Sequence, residues 1–123
     1  MNLTQLNLAH NHLIGLPAEI MQLANLTELD LGGNQLAETP AQIERLSRLE
    51  RLWLNNNGLK TIPLELGRLS NLVGLSLRDN ELTDLPPELG QLSRLKVLEI
   101  AGNRLTQLPP EIEHIPGLEI IRW

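Results

Sequence analysis

Few residues in this 123-residue chain are of the kinds that do chemistry, and their spacing argues against most of it. His10 and His12 flank Asn11 and are close enough to share a metal ion. Protein zinc sites use three or four side-chain ligands, however, and no third lies near in sequence. Glu28 and Asp30 are alternate residues, so in an extended strand both carboxylates share one face. Such pairs perform acid–base work only where a cleft raises one of the two pKa values. The chain has no cysteine, so disulfides, thiolate nucleophiles and thiol metal sites are all excluded. No phosphate-cradling loop, nucleophile elbow or dinucleotide fingerprint occurs. The expectation is no catalytic residue, no metal and no cofactor.

The remaining chemistry is that of recognition. Hydrophobic residues make up 41% of the chain and charged ones 20%, the balance of a folded domain rather than a disordered one. Net charge is −5, the opposite of the basic face that nucleic acid selects. No apolar run approaches the ~18 residues that suggest a membrane span. The opening MNLTQLNLAHNHL lacks the basic-then-apolar pattern of a secretion signal. With no cysteine to oxidise, a cytoplasmic setting is expected, and another protein is the expected partner.

Position is fixed by repetition. Asn11, Asn34, Asn57, Asn80 and Asn103 recur every 23 residues, as do Pro17, Pro40, Pro63, Pro86 and Pro109. Five units follow, at 3–25, 26–48, 49–71, 72–94 and 95–117, with a partial sixth at 118–123, all in one domain. Each unit has seven apolar slots, and 34 of the 35 hold Leu or Ile. Thr39 is the exception. Within a unit, L-x-L alternates with the period of a half-buried strand, and the tail after proline places apolar residues three apart, as a helical turn does. Proline suits a first helical position, with Glu19, Glu65, Glu88 and Glu111 in an acidic first turn. One strand and one turn bury no core alone; stacked units do.

The pattern L-x-x-L-x-L-x-x-N-x-L followed by L-P-x-x-I-x-x-L resembles the leucine-rich repeat family over essentially the whole chain. Its 23-residue form is similar to the intracellular class that includes Ras-group scaffolds and many bacterial repeat proteins. The resemblance implies an α/β solenoid, with a curved parallel sheet inside and short helical turns outside. Each asparagine is expected at the bend after a strand, its amide pairing with turning backbone. In Asn55-Asn56-Asn57, only Asn57 has that register, and the other two are expected to face outward.

The third, fifth and seventh residues of each unit then point away from the core and form the concave face. The third lane is expected to run Gln5, Glu28, Arg51, Gly74, Val97, Ile120, and the fifth Asn7, Asp30, Trp53, Ser76, Glu99, Arg122. The seventh runs Ala9, Gly32, Asn55, Arg78, Ala101. Trp53, one of two tryptophans in a chain with no Phe or Tyr, is expected mid-sheet in solvent beside Arg51 and Asn55. Tryptophan and arginine together are a binding hot-spot composition. The expected partner site is Glu28, Asp30, Arg51, Trp53, Asn55, Ser76, Arg78, Val97 and Glu99, with Val97 and Ile120 as an apolar strip. Trp123 is expected in a core slot, covering the last full unit.

Repeat arrays usually carry polar caps, but Met1-Asn2 runs straight into Leu3 and the chain stops within a strand. A piece of a longer protein, self-association through uncapped ends, and a short array that tolerates bare edges all fit. The leading functional expectation is a non-catalytic module that binds a protein on its concave face. The alternatives are the recognition segment of a larger signalling enzyme (a kinase, GTPase or ubiquitin ligase) and a self-assembling structural array.

Overall fold

The period-two leucines of each unit form a short strand, and the computed structural model, which describes residues 2–122, stacks these strands side by side. The strands are β1 (Gln5–Asn7), β2 (Glu28–Asp30), β3 (Arg51–Trp53), β4 (Gly74–Ser76), β5 (Val97–Glu99) and β6 (Glu119–Ile121). All pair in parallel and in chain order. From β1 to β5 every residue faces the one 23 later, as Leu29 faces Leu52 and Leu52 faces Leu75. The return path of each unit is a single helical turn on the far side of the core. Four are 3-10 turns, at Ala18–Gln22, Ala41–Arg45, Leu64–Arg68 and Pro87–Gln91. The fifth, α1 (Pro110–Glu113), is α-helical.

The repeating prolines stand one place earlier than expected. Pro17, Pro40, Pro63, Pro86 and Pro109 cap the turns rather than begin them, with ψ between 136° and 149°. Each ring fixes φ in extended backbone while its carbonyl accepts the first bond of the turn, such as Ile20 N–H at 3.1 Å. Pro87 and Pro110 alone take the first helical position.

Leucines from successive units meet as layers between sheet and turns. Leu26, Leu29, Leu31, Leu49, Leu52, Leu54, Leu72 and Leu77 are all fully or almost fully buried. Burial on this scale stabilises by roughly 1.5–3 kcal/mol per side chain. In the first unit the same slots, Leu3, Leu6, Leu8, Leu13 and Leu16, are only partly covered. The backs of the units touch closely. A Cβ on Gly90 would lie 2.6 Å from the Glu111 Cβ and 2.7 Å from its carbonyl oxygen, so the adjoining turn leaves no room for one. Across the outer face Arg68 meets Glu44 at 2.6 Å, and that hydrogen bond and charge raise the guanidinium pKa above its ordinary value.

Turning the chain sharply between strand and return path exposes backbone groups inside an apolar core, and the asparagines satisfy them. The Asn80 amide donates to the carbonyls of Leu54, Leu77 and Arg78 at 3.0, 3.0 and 3.2 Å. Its oxygen accepts from the N–H groups of Asn57 and Leu59 at 2.9 and 3.1 Å. Asn34 does the same toward Leu8, Asn11 and Leu13. Asn57 and Asn103 also reach back to the preceding unit, at Leu31 and Leu77. The Asn11 side chain bonds only within its own bend and is exposed.

Asn56 corrects the expectation of one structural asparagine in three. It is exposed, but its φ is +56°, and the eighth residue of every unit is left-handed: His10, Gly33, Asn56, Asp79 and Gly102. Glycine accepts that conformation freely, and Asn, Asp and His are the side chains that tolerate it best.

The sixth unit departs from the period. Val97 pairs with Glu119 and Leu98 with Ile120, a step of 22, so Ile120 lies over the core rather than in the third lane. Strand register is set by which side chains the buried face selects, and adjacent isoleucines satisfy either choice. The expected Val97–Ile120 strip is therefore absent. Glu119 follows Val97, and Ile121, not Arg122, follows Glu99. The core slot expected for Trp123 lies outside the described residues.

Two stability predictions follow from these bonds. Asn80→Ala strands two buried N–H groups and should lower unfolding free energy by about 3 kcal/mol in urea, while Asn11→Ala loses under about 1 kcal/mol. Equal losses would refute the ladder as the source. Thr39 is buried in a leucine slot, and its hydroxyl has no hydrogen-bond partner. Thr39→Val should therefore raise stability by about 1 kcal/mol, read as a higher urea midpoint at unchanged slope.

Candidate functional site

The strands are three residues long, so each offers the concave face only its third and fifth unit residues, with the seventh at the rim. Core leucines between them hold their backbone rigidly, so the outward side chains are displayed from a fixed platform. Glu28, Arg51, Gly74 and Val97 form one row across β2 to β5, and Asp30, Trp53, Ser76 and Glu99 the next. The structure thus brings together eight of the nine expected partner residues by strand pairing or direct contact. Asn55 is displaced toward the rim, where its amide lies across Gly32; a Cβ on Gly32 would stand 2.7 Å from the Asn55 oxygen.

Burial corrects the expected exposure. Trp53 is half-buried rather than open to solvent on all sides, and Ser76 is buried, with 4% of its surface accessible. Arg51 is exposed, while Glu28, Asp30, Asn55, Arg78, Val97 and Glu99 are half-buried. The indole stands as a wall between two depressions. On its N-terminal side a polar hollow of about 360 Å³ is lined by Gln5, Asn7, Glu28 and Asp30. On its C-terminal side a notch of about 220 Å³ has Gly74, Leu75 and Ser76 beneath it and Arg51, Val97 and Glu99 around it. The missing side chain at Gly74 opens that notch.

The charges are largely arranged in pairs. Arg51 meets Glu28 at 3.1 Å across β3 and β2, and Arg78 lies 3.7 Å from Glu99 and 3.9 Å from Asp79. Pairs this exposed add little stability, and the 3.1 Å bond engages Arg51 more firmly than the longer contacts engage Arg78. Asp30 accepts from Gly32 N–H at 3.0 Å, as Asn7 does from Ala9 N–H, and has no cationic partner among the described residues. Glu119 and Ile121 join the face through the one-residue step at β6, which the period gave no means of finding.

His10 and His12 belong to the bends. Both are exposed and left-handed, and the His10 ring lies over Gly33, whose added Cβ would collide with it. Among the described residues, no three His, Cys, Asp or Glu side chains gather at metal-binding spacing. No helix is long and apolar enough to cross a membrane among them either. The open, shallow surface around Glu28 and Asp30 offers recognition chemistry: an aromatic face, carboxylates, and a notch of one side chain's size.

Comparisons with known proteins agree with this architecture. A family profile for leucine-rich repeats, two copies per match, fits residues 2–42, 47–87 and 70–114. No match is found among curated proteins. Of solved structures, a leucine-rich repeat protein of Leptospira interrogans is similar at 45% identity and a TM-score of 0.88, over 94% of this chain and 30% of that one. A plant peptide hormone receptor, RGFR1 in complex with RGF2, is 40% identical with a TM-score of 0.84, over 96% and 20%. An internalin (inlF) of Listeria monocytogenes, at 23% identity and a TM-score of 0.84 over 96% and 34%, shares the fold. The chain spans only a fifth to a third of these proteins' lengths. On its repeat, its sheet and these matches, the chain belongs to the leucine-rich repeat family.

Proposed function

We propose that this chain is a non-catalytic protein-binding module that seats a partner on its concave face, centred on Trp53. The observation that carries the reading is the half-buried indole, held mid-sheet between two depressions with Arg51 beside it. A tryptophan already partly desolvated loses little rotamer freedom on binding and offers a large face, the combination found at interface hot spots. The similarity to a receptor solved with its peptide supports the same reading by analogy of fold. A reducing compartment such as the cytoplasm suits a chain without cysteine.

The test places a photo-crosslinking residue at position 5, in the hollow beside Trp53, and, separately, at Gln42 on the outer face. Partners should be trapped from position 5 and not from Gln42. For a partner so identified, Trp53→Ala should weaken binding by about 2 kcal/mol or more, roughly 30-fold, with unfolding free energy little changed. A partner trapped only at Gln42, or one whose affinity ignores Trp53→Ala, would overturn the proposal. Light scattering on the native chain and on Trp53→Ala reads whether that partner is a second copy.

A further inference from the structure

The notch beside Trp53 has a shape and charge that specify more than a generic partner. At about 220 Å³ it falls below the ~300 Å³ at which small-molecule pockets begin, so it holds one side chain. Its walls are the Trp53 indole and Val97, with the Gly74 and Leu75 backbone beneath, surfaces that suit an aliphatic stem. Its polar groups are Ser76, Glu99 and Arg51. Of these, Arg51 is already engaged by Glu28 at 3.1 Å, whereas Glu99 has only Arg78 at 3.7 Å, too long for a good hydrogen bond. Ser76 is 4% exposed, and its hydroxyl makes no side-chain hydrogen bond among the described residues. An apolar occupant would bury that hydroxyl unpaired. Across β2 to β6 the face carries the carboxylates of Glu28, Asp30, Glu99 and Glu119 against the guanidinium groups of Arg51 and Arg78, so its balance is acidic.

We propose that this notch receives one arginine side chain of the protein partner, its stem against Trp53 and Val97 and its guanidinium donating to Glu99 and the Ser76 hydroxyl. The proposal rests on the concave face being the binding surface. A guanidinium is planar and weakly hydrated and stacks on an indole, which a lysine ammonium does less well.

The test is a titration of the full ¹⁵N-labelled chain, followed by amide and indole N–H shifts. Four blocked tripeptides serve as probes: acetyl-Ala-X-Ala-amide with X as Arg, Lys, Leu or Glu. The arginine peptide should move the Trp53 indole N–H and the Gly74, Ser76 and Val97 amides saturably. It should bind at least about threefold more tightly than the leucine peptide, with the lysine peptide between them and the glutamate peptide inert. Gly74→Leu should abolish these shifts by filling the notch. A Cβ at that site meets nothing closer than the Arg51 Cγ at 3.8 Å, so the backbone there admits a side chain, and unshifted Asn34 and Asn80 amides are the check that the variant keeps the fold. Glu99→Gln should weaken arginine binding about threefold or more.

Equal binding of leucine and arginine peptides overturns the inference and leaves the concave-face reading standing. So does an arginine response that survives Gly74→Leu, or silence from every peptide at about 20 mM, above the ~1 mM range of weak sites. Shifts confined to the outer turns count against both.

Discussion

A backbone that reverses direction inside a leucine core must hide its polar groups, and one carboxamide per unit makes this possible. The Asn80 side chain takes two N–H groups and three carbonyls from two different units. Leucines are interchangeable in kind, and layers of them do not define where a strand stops. The amide does, because its donors and acceptors are shared between the two bends it joins. The constant step of 23 between those bends depends on it.

The general fold was legible because local and global signals coincide in this chain: leucine spacing, proline and asparagine all mark one period. What escaped the period was whatever depends on backbone sign or on competition between equivalent side chains. His10, Gly33, Asn56, Asp79 and Gly102 are all types that tolerate a left-handed backbone, a signal carried by conformational tolerance and not by the apolar period. Ile120 and Ile121 are equally suited to the core, and counting alone could not choose the register of the last strand. Proline marks the start of a turn in either of two neighbouring positions, and only dihedral angles separate them.

The surface was legible in membership but not in relief. Alternation told which side chains leave the core, and strand pairing set Asp30, Trp53 and Ser76 side by side as the period required. It did not tell that the indole leans far enough to be half-buried, that Ser76 is covered, or that Asn55 crosses Gly32. Those depend on contacts between residues 23 apart whose sizes differ. Gly74 beside Arg51 and Val97 yields a hollow, where a third large side chain would have yielded a flat ridge.

The amide bonds also run one way. Asn34, Asn57, Asn80 and Asn103 all reach toward the unit before them. A chain leaving the ribosome therefore exposes each bend before the asparagine that completes it has emerged. At ~5–20 residues per second, a delay of one 23-residue unit lasts roughly 1–5 s, during which the newest bend is held by water instead. Such an array matures one unit behind its own emergence.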